Sequence, residues 1–202
     1  MSGKDVVLFF RVCSEMWRGL YFLRRSKRCV SIFGSARFPE THVYSELARE
    51  VAKAFVQRGY SVMTGGGPGI MQAANRGAFE AGGQSIGVNI ILPHEQGLNP
   101  FLTRSFKCRY FFVRKLLLVR YSEVFVFLPG GFGTLDEFFE IITLLQTGRS
   151  ENRPVILIGN KYWSELLDWC RRMLIPAGTI TEAELARIQI VDSAQEAMAL
   201  VP

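Results

Sequence analysis

Glu123-Val124-Phe125-Val126-Phe127-Leu128-Pro129-Gly130-Gly131-Phe132-Gly133-Thr134-Leu135-Asp136-Glu137-Phe138-Phe139-Glu140-Ile141-Ile142 is the stretch whose reading decides the fold. Its first residues form a continuous apolar run, the pattern of a strand buried on both faces. The last ones take helical spacing. Between them, three glycines allow backbone N–H groups to approach an anion closely, and the following helix turns its positive dipole end to the same place. Asp136 and Glu137 sit one turn into that helix. A phosphate cradle with a carboxylate beside it suggests chemistry on a phosphorylated small molecule.

The same strand–glycine loop–helix pattern recurs upstream. A strand over 29–33 leads into Gly34-Ser35-Ala36-Arg37 and a helix over 44–58, which Gly59 stops. A strand over 60–63 leads into Gly65-Gly66-Gly67-Pro68-Gly69 and a helix over 70–81. Residues 85–90 form the third strand. Pro93, Gly97, Asn99 and Pro100 mark 92–104 as a loop. A helix over 112–121 precedes the strand 124–128 and the helix 134–146. Strands over 154–158 and 188–191 and helices over 163–174 and 194–200 finish the chain. Alternating strands and helices predict one α/β domain, a doubly wound, Rossmann-like parallel sheet with helices on both faces. That domain spans 29–202. Residues 1–28 form a separate amphipathic helix, with Phe9, Cys13, Met16, Trp17, Leu20 and Tyr21 at helical spacing and Arg24-Arg25-Ser26-Lys27-Arg28 at its end. It is expected to pack on the domain or on a partner subunit, a membrane-surface helix being the minor alternative.

Composition narrows the function. Of 202 residues, 49% are apolar and 21% charged, ordinary for a globular chain. The net charge of +6 suits anionic ligands. Apart from the 24–28 cluster the basic residues are scattered, which argues against nucleic acid. Cys13, Cys29, Cys108 and Cys170 show neither zinc nor disulfide spacing and fit reduced thiols. The apolar run 6–10 is cut short by Arg11 and lacks a cleavage site, which argues against a signal peptide. No apolar stretch is long enough to span a membrane. A cytoplasmic protein is expected. His42 and His94 have no ligating neighbours, so no metal site is expected, and no G-x-S-x-G motif supports a serine nucleophile.

Ligands of doubly wound sheets bind at strand carboxyl ends where the strand order reverses. Three glycine loops (34–37, 64–69 and 129–134) lie on that edge. Neither phosphate fingerprint fits them. No glycine loop is followed by the Lys-Ser/Thr of a P-loop, and 65–70 lacks the last glycine of G-x-G-x-x-G. The second strand also lacks the acid that would hold a ribose, which demotes NAD chemistry. Candidate substrate contacts are Gly34, Ser35, Gly66, Gly67, Asn75, Glu80, Lys115, Pro129, Gly130, Gly131, Gly133 and Thr134, with the ionisable Arg114 and Glu137 on the helices before and after the key strand. Arg76 and Glu80, four apart, are equally well read as an intrahelical ion pair.

Pro129-Gly130-Gly131-Phe132-Gly133-Thr134-Leu135-Asp136-Glu137 resembles the PGGxGTxxE signature of the LOG (LONELY GUY) family, cytokinin riboside 5′-monophosphate phosphoribohydrolases often mislabelled as lysine decarboxylases. Gly65-Gly66-Gly67-Pro68-Gly69-Ile70-Met71 is similar to that family's glycine-rich loop. Tyr110-Phe111-Phe112-Val113-Arg114-Lys115, Ser31-Ile32-Phe33-Gly34-Ser35-Ala36-Arg37 and Asn75-Arg76-Gly77-Ala78-Phe79-Glu80 resemble its longer, bacterial branch. Phe132 and Asp136 depart from the Tyr and Glu common in the shorter branch. The resemblance implies hydrolysis of the N-glycosidic bond of a nucleoside 5′-monophosphate, AMP or N6-prenylated AMP, to free base and ribose 5-phosphate. It implies no metal or organic cofactor, at least a homodimer, and essential roles for Arg114 and Glu137. Residue chemistry agrees: a carboxylate such as Glu137 can stabilise the ribosyl cation, hold a ribose hydroxyl or orient water. Two readings compete, a nucleotide-binding or sensing module without turnover and a pyridoxal-phosphate decarboxylase. For the latter, neither Lys115 nor Lys161 has a suitable context.

Overall fold

A computed structural model describes residues 2–26, 28–92, 97–149 and 153–201. Lys27, Pro93 and His94, named above, lie outside them. Seven strands form one sheet: β1 (Cys29–Phe33), β2 (Ser61–Thr64), β3 (Ser85–Ile90), β4 (Arg104–Cys108), β5 (Ser122–Phe127), β6 (Val155–Ile158) and β7 (Ile188–Val191). All neighbours run parallel, in the order β4-β3-β2-β1-β5-β6-β7. The chain builds outward from β1 to the β4 edge and then returns to place β5 on the other side of β1. The order therefore reverses between β1 and β5.

Helices cover both faces because the strands are apolar on both. On one face Cys29, Phe33, Phe125 and Phe127 join Leu23, Leu117, Phe138 and Trp163 in one core. These come from α1 (Gly3–Leu23), α4 (Phe111–Arg120), α5 (Phe132–Gln146) and α6 (Asn160–Met173). On the other face Val30, Ile32, Val124 and Val126 pack with Phe55, Ile70, Ala74 and Met198. Those lie on α2 (Val43–Gln57), α3 (Ile70–Glu80) and α8 (Ala194–Ala199). Adjacent strand residues thus serve opposite cores, the period-two alternation of a sheet covered on both sides.

Two elements correct the sequence reading. Residues 104–108 form β4, although the sequence showed a loop running to 104 and nothing beyond it. As an edge strand β4 has a partner on one side only, and it alternates exposed Ser105 and Lys107 with half-buried Arg104 and Phe106 and buried Cys108 instead of showing an apolar run. The short helix α7 (Glu182–Leu185) is held by a capping box, in which Thr181 and Glu184 satisfy each other's backbone amides.

α1 rests on the domain through Glu15, Gly19 and Leu23, its buried residues, spaced four apart. The Glu15 carboxylate accepts the amides of Arg109 (2.9 Å) and Tyr110 (3.2 Å). α4 has no side-chain cap hydrogen bond at Tyr110, and Glu15, 95 residues upstream, instead pins the two residues that lead into the helix. Cys29 and Cys108 are buried thiols that burial pushes up to about 11 and about 12, so neither is a nucleophile at neutral pH.

Candidate active site

The loops after β1 and β5 meet at the reversal point and are stitched together by backbone. The Ser35 amide donates to the Pro129 carbonyl at 3.1 Å, and the Ile70 amide donates to Ser35 O at 2.9 Å, drawing in the start of α3. From α6 the Tyr162 hydroxyl donates to Gly130 O at 2.6 Å. The contacts leave no room for a side chain at Gly130, whose added Cβ would collide with the Thr134 side chain and come within 3.0 Å of Ser35 N.

Behind this junction opens a cleft of about 860 Å³. One wall is the 130–135 segment, in which Gly131 caps α5 without any side-chain hydrogen bond. An uncapped start to a fifteen-residue helix presents amide donors and its positive dipole end to whatever enters. The other walls are Gly34 to Phe38, Gly65 and Met71.

Arg114 and Glu137 close the floor. The guanidinium and carboxylate meet at 2.6 Å, with side chains only 12% and 7% exposed. Arg114 Nε also donates to the Val88 carbonyl at 3.0 Å, so the arginine is anchored to β3 while it holds the acid. Its Nη2 lies where a Cβ on Gly65 would stand, 2.5 Å away, so only glycine admits it. Burial pushes the Glu137 carboxyl above the ordinary glutamate range, and Arg114 is the main influence restraining the rise. The arrangement is a desolvated carboxylate, held by a cation, opposite an anion-attracting helix end.

Of the sequence candidates, the structure gathers Gly34, Ser35, Gly130, Gly131, Gly133, Thr134, Arg114 and Glu137 around this cleft. Pro129 lies behind it, its carbonyl spent on Ser35. Lys115 is placed elsewhere: one helical step turns it away from Arg114, and it pairs with Asp136 and Glu140, both at 3.0 Å. Glu80 lies far along α3, paired with Arg76 at 2.8 Å and with Arg49. The helical spacing of Arg76 and Glu80 had pointed to that ion pair.

Asn75 is fully buried and acts from behind. Its Oδ1 accepts from Thr64 Oγ1 (2.6 Å) and Asn99 Nδ2 (3.0 Å), and its Nδ2 donates to Ser85 Oγ (2.8 Å). Thr64 Oγ1 in turn accepts the Gly66 amide, and Asn99 Nδ2 donates to Gly67 O at 3.1 Å. Gly66 and Gly67 are thus tied into a polar knot that positions Gly65, and they do not face the cleft. His42 caps α2 by accepting the Tyr44 amide, and its ring lies flat on Phe38 at 4.0 Å. Among the described residues no cluster of three metal-ligating side chains occurs, and no helix is long and apolar enough to cross a membrane.

Cleft residues outside the sequence candidates are Phe33, Ala36, Arg37, Phe38, Gly65, Met71, Phe132 and Leu135. Arg37 followed directly on a named loop. The apolar ones carried no signal, because core and cleft use the same side chains.

The family profile described as "Possible lysine decarboxylase" matches residues 71–201, more than half of the chain. A relative from Oryza sativa, named cytokinin riboside 5′-monophosphate phosphoribohydrolase LOG, is 32% identical over 181 residues, 88% of this chain and 72% of that protein. The chain belongs to the LOG family. A bacterial LOG-family relative from Rhodococcoides fascians, also named cytokinin riboside 5′-monophosphate phosphoribohydrolase, is 27% identical over 88% of this chain and 91% of its own. Two solved structures share the fold. One is the molybdenum cofactor binding protein of Rippkaea orientalis (TM-score 0.65, 20% identity, 87% of this chain and 96% of that one). The other is the molybdenum cofactor carrier protein of Chlamydomonas reinhardtii (TM-score 0.62, 24% identity, 86% and 94%). At those identities the likeness is one of fold alone. Proteins of this fold thus include a carrier, so turnover has to be argued from the residues in the cleft. No lysine lines the cleft among the described residues, which leaves the decarboxylase reading without its Schiff-base residue.

Proposed function

We propose that this chain hydrolyses the N-glycosidic bond of a nucleoside 5′-monophosphate, AMP or N6-prenylated AMP, releasing the free base and ribose 5-phosphate. The observation that carries the reading is the buried Arg114–Glu137 pair opposite the uncapped start of α5. The 5′-phosphate docks on the amides of the 130–134 segment, and its binding energy fixes the ribose over the floor. As the C1′–N bond breaks, positive charge grows on the sugar, and the Glu137 carboxylate faces it. The same carboxylate orients a water, which adds its oxygen to C1′, keeps one proton as the new C1′ hydroxyl and passes the other to the departing base. Arg114 opposes the burial that pushes the Glu137 carboxyl up and so favours its ionised form. Phe38, Met71, Phe132 and Leu135 offer apolar walls to a flat base and to a branched hydrocarbon tail.

The reading includes self-association, supported by exposed Phe111, Phe112, Leu116 and Phe139 on the two helices that carry the pair. Light scattering on the purified chain tests it. Activity is tested by incubating the protein with AMP, GMP, CMP and isopentenyl-AMP and separating free bases by chromatography. Base release that Glu137→Gln abolishes supports hydrolysis. Tight binding with no free base from any of the four supports a carrier or sensor and removes the proposal.

A further inference from the structure

Residues 1–28 hold seven basic side chains against two acids, so five of the chain's six net positive charges sit on one-seventh of its length. Neither acid lies among the arginines at the C-terminal end of α1: Asp5 closes a capping box with Ser2 at its start, and Glu15 is turned inward onto the residues before α4. The face of α1 opposite its buried residues carries Val6, Phe10, Cys13, Trp17 and Tyr21 at steps of four, three, four and four. Phe10 is 65% and Trp17 72% exposed. Lys4, Arg11 and Arg18, seven apart and exposed, form a ridge flanking that stripe.

At the C-terminal end of the stripe lies a groove of about 550 Å³, lined by Arg18, Arg24, Arg25 and Arg104 together with Trp17 and Tyr21. No carboxylate lines it among the described residues. The Arg24 guanidinium lies 3.7 Å above the Tyr21 ring, and Arg104 is steadied by Ser26 and by the Phe22 carbonyl.

We propose that this face of α1 docks on an anionic phospholipid surface, the stripe entering the acyl boundary and the arginine groove receiving phosphate headgroups. A helix with aromatic side chains on one face and arginines at its edge is built to lie in an interface, and its long cationic side chains reach up to the headgroups. A second copy meets a penalty on the arginine side of this face, beyond the groove where Trp17 and Tyr21 border Phe112 and Leu116 of the association surface. It would bring an equal surplus of positive charge within a few ångströms, well inside the screening length. An anionic lipid surface satisfies the charge and the apolar stripe together.

Flotation of the full chain with vesicles of phosphatidylcholine, with and without phosphatidylglycerol, tests this. The expected result is salt-sensitive binding to the anionic vesicles alone, with a blue shift of fluorescence that Trp17→Phe removes. Arg18→Ala combined with Arg25→Ala lowers partitioning about 30-fold, the loss expected for two cations near an anionic surface. The circular dichroism of that variant stays unchanged. Equal partition into neutral and anionic vesicles overturns the proposal. So does a dimer that Phe10→Asp dissociates in solution, which would make the stripe a protein interface. Full displacement by inorganic phosphate at constant ionic strength, with no blue shift on vesicles, would reveal a free-anion site and overturn it as well.

Discussion

The Arg114 guanidinium reaches the Glu137 carboxylate at 2.6 Å from the neighbouring helix, and its Nε is tied to the Val88 carbonyl on β3. The acid that faces the proposed scissile bond is therefore held at a fixed place relative to the sheet. Replacing Glu137 by Gln keeps the shape and removes the charge. Turnover of AMP then falls by about 10²–10⁴-fold, the range a positioned acid–base group supplies. A rate within about threefold of wild type at saturating substrate would contradict the assignment.

Arg114→Ala couples activity and stability to pH. Glu137 already sits above the ordinary carboxylate range, and removing its cation raises it further. A carboxyl raised in the folded state binds its proton more tightly there than in the unfolded chain. Its stabilising effect is thus complete below the unfolded value and is lost as pH rises through the folded one. The variant is expected to lose about 3 kcal/mol at pH 8, where a buried charge is left without its partner, and less at pH 5. Urea unfolding at both values measures this. In the wild type the acid limb of kcat/KM lies above the ordinary glutamate range.

Asn75→Ala strips the polar knot behind the 64–67 turn and leaves Thr64, Asn99 and Ser85 short of partners in the core. About 3 kcal/mol of stability is expected to go, lowering Tm by roughly 6–12 °C. kcat/KM falls as well, because Gly65 no longer holds its place against Arg114. An unchanged melting temperature would show that the knot adds nothing.

Gly130→Ala drives a methyl group into Thr134 and toward Ser35. The phosphate segment has to shift, so KM for a nucleoside monophosphate rises at least about tenfold, the effect of losing one good phosphate contact. The free nucleoside, which lacks the phosphate, discriminates little between the two proteins. Parallel kinetics on AMP and adenosine decide it.

Lys115→Met serves as the contrasting variant. Its side chain is only 17% exposed and its ammonium is bound to Asp136 and Glu140, so stability falls by about 1–3 kcal/mol as the acids lose their partner. KM for AMP stays within about twofold. A large rise would place Lys115 at the substrate after all.

What could be read from the residues was whatever announces itself locally. β5 and α5 were visible because an apolar run, three glycines and a helical repeat follow one another within twenty residues. β4 was hidden because an edge strand needs only one apolar face: Ser105 and Lys107 lie on its exposed side, and Arg104 opens the covered side with a charge. Arg114 and Lys115 stand side by side in sequence but about 100° apart around α4, and only packing shows which one turns inward. Asn75 looked like a ligand contact because a buried asparagine that braces a loop and an exposed one that grips a substrate are spelled alike.

Glu15 gives a last consequence. The helix that carries Arg114 begins without a side-chain cap, and the two residues that lead into it are held by Glu15 of α1. Two segments that look separable along the sequence therefore share one keystone. Whoever trims residues 2–23 to obtain a tidier domain removes the stop against which α4 is seated, and the arginine on its first turn inherits the slack.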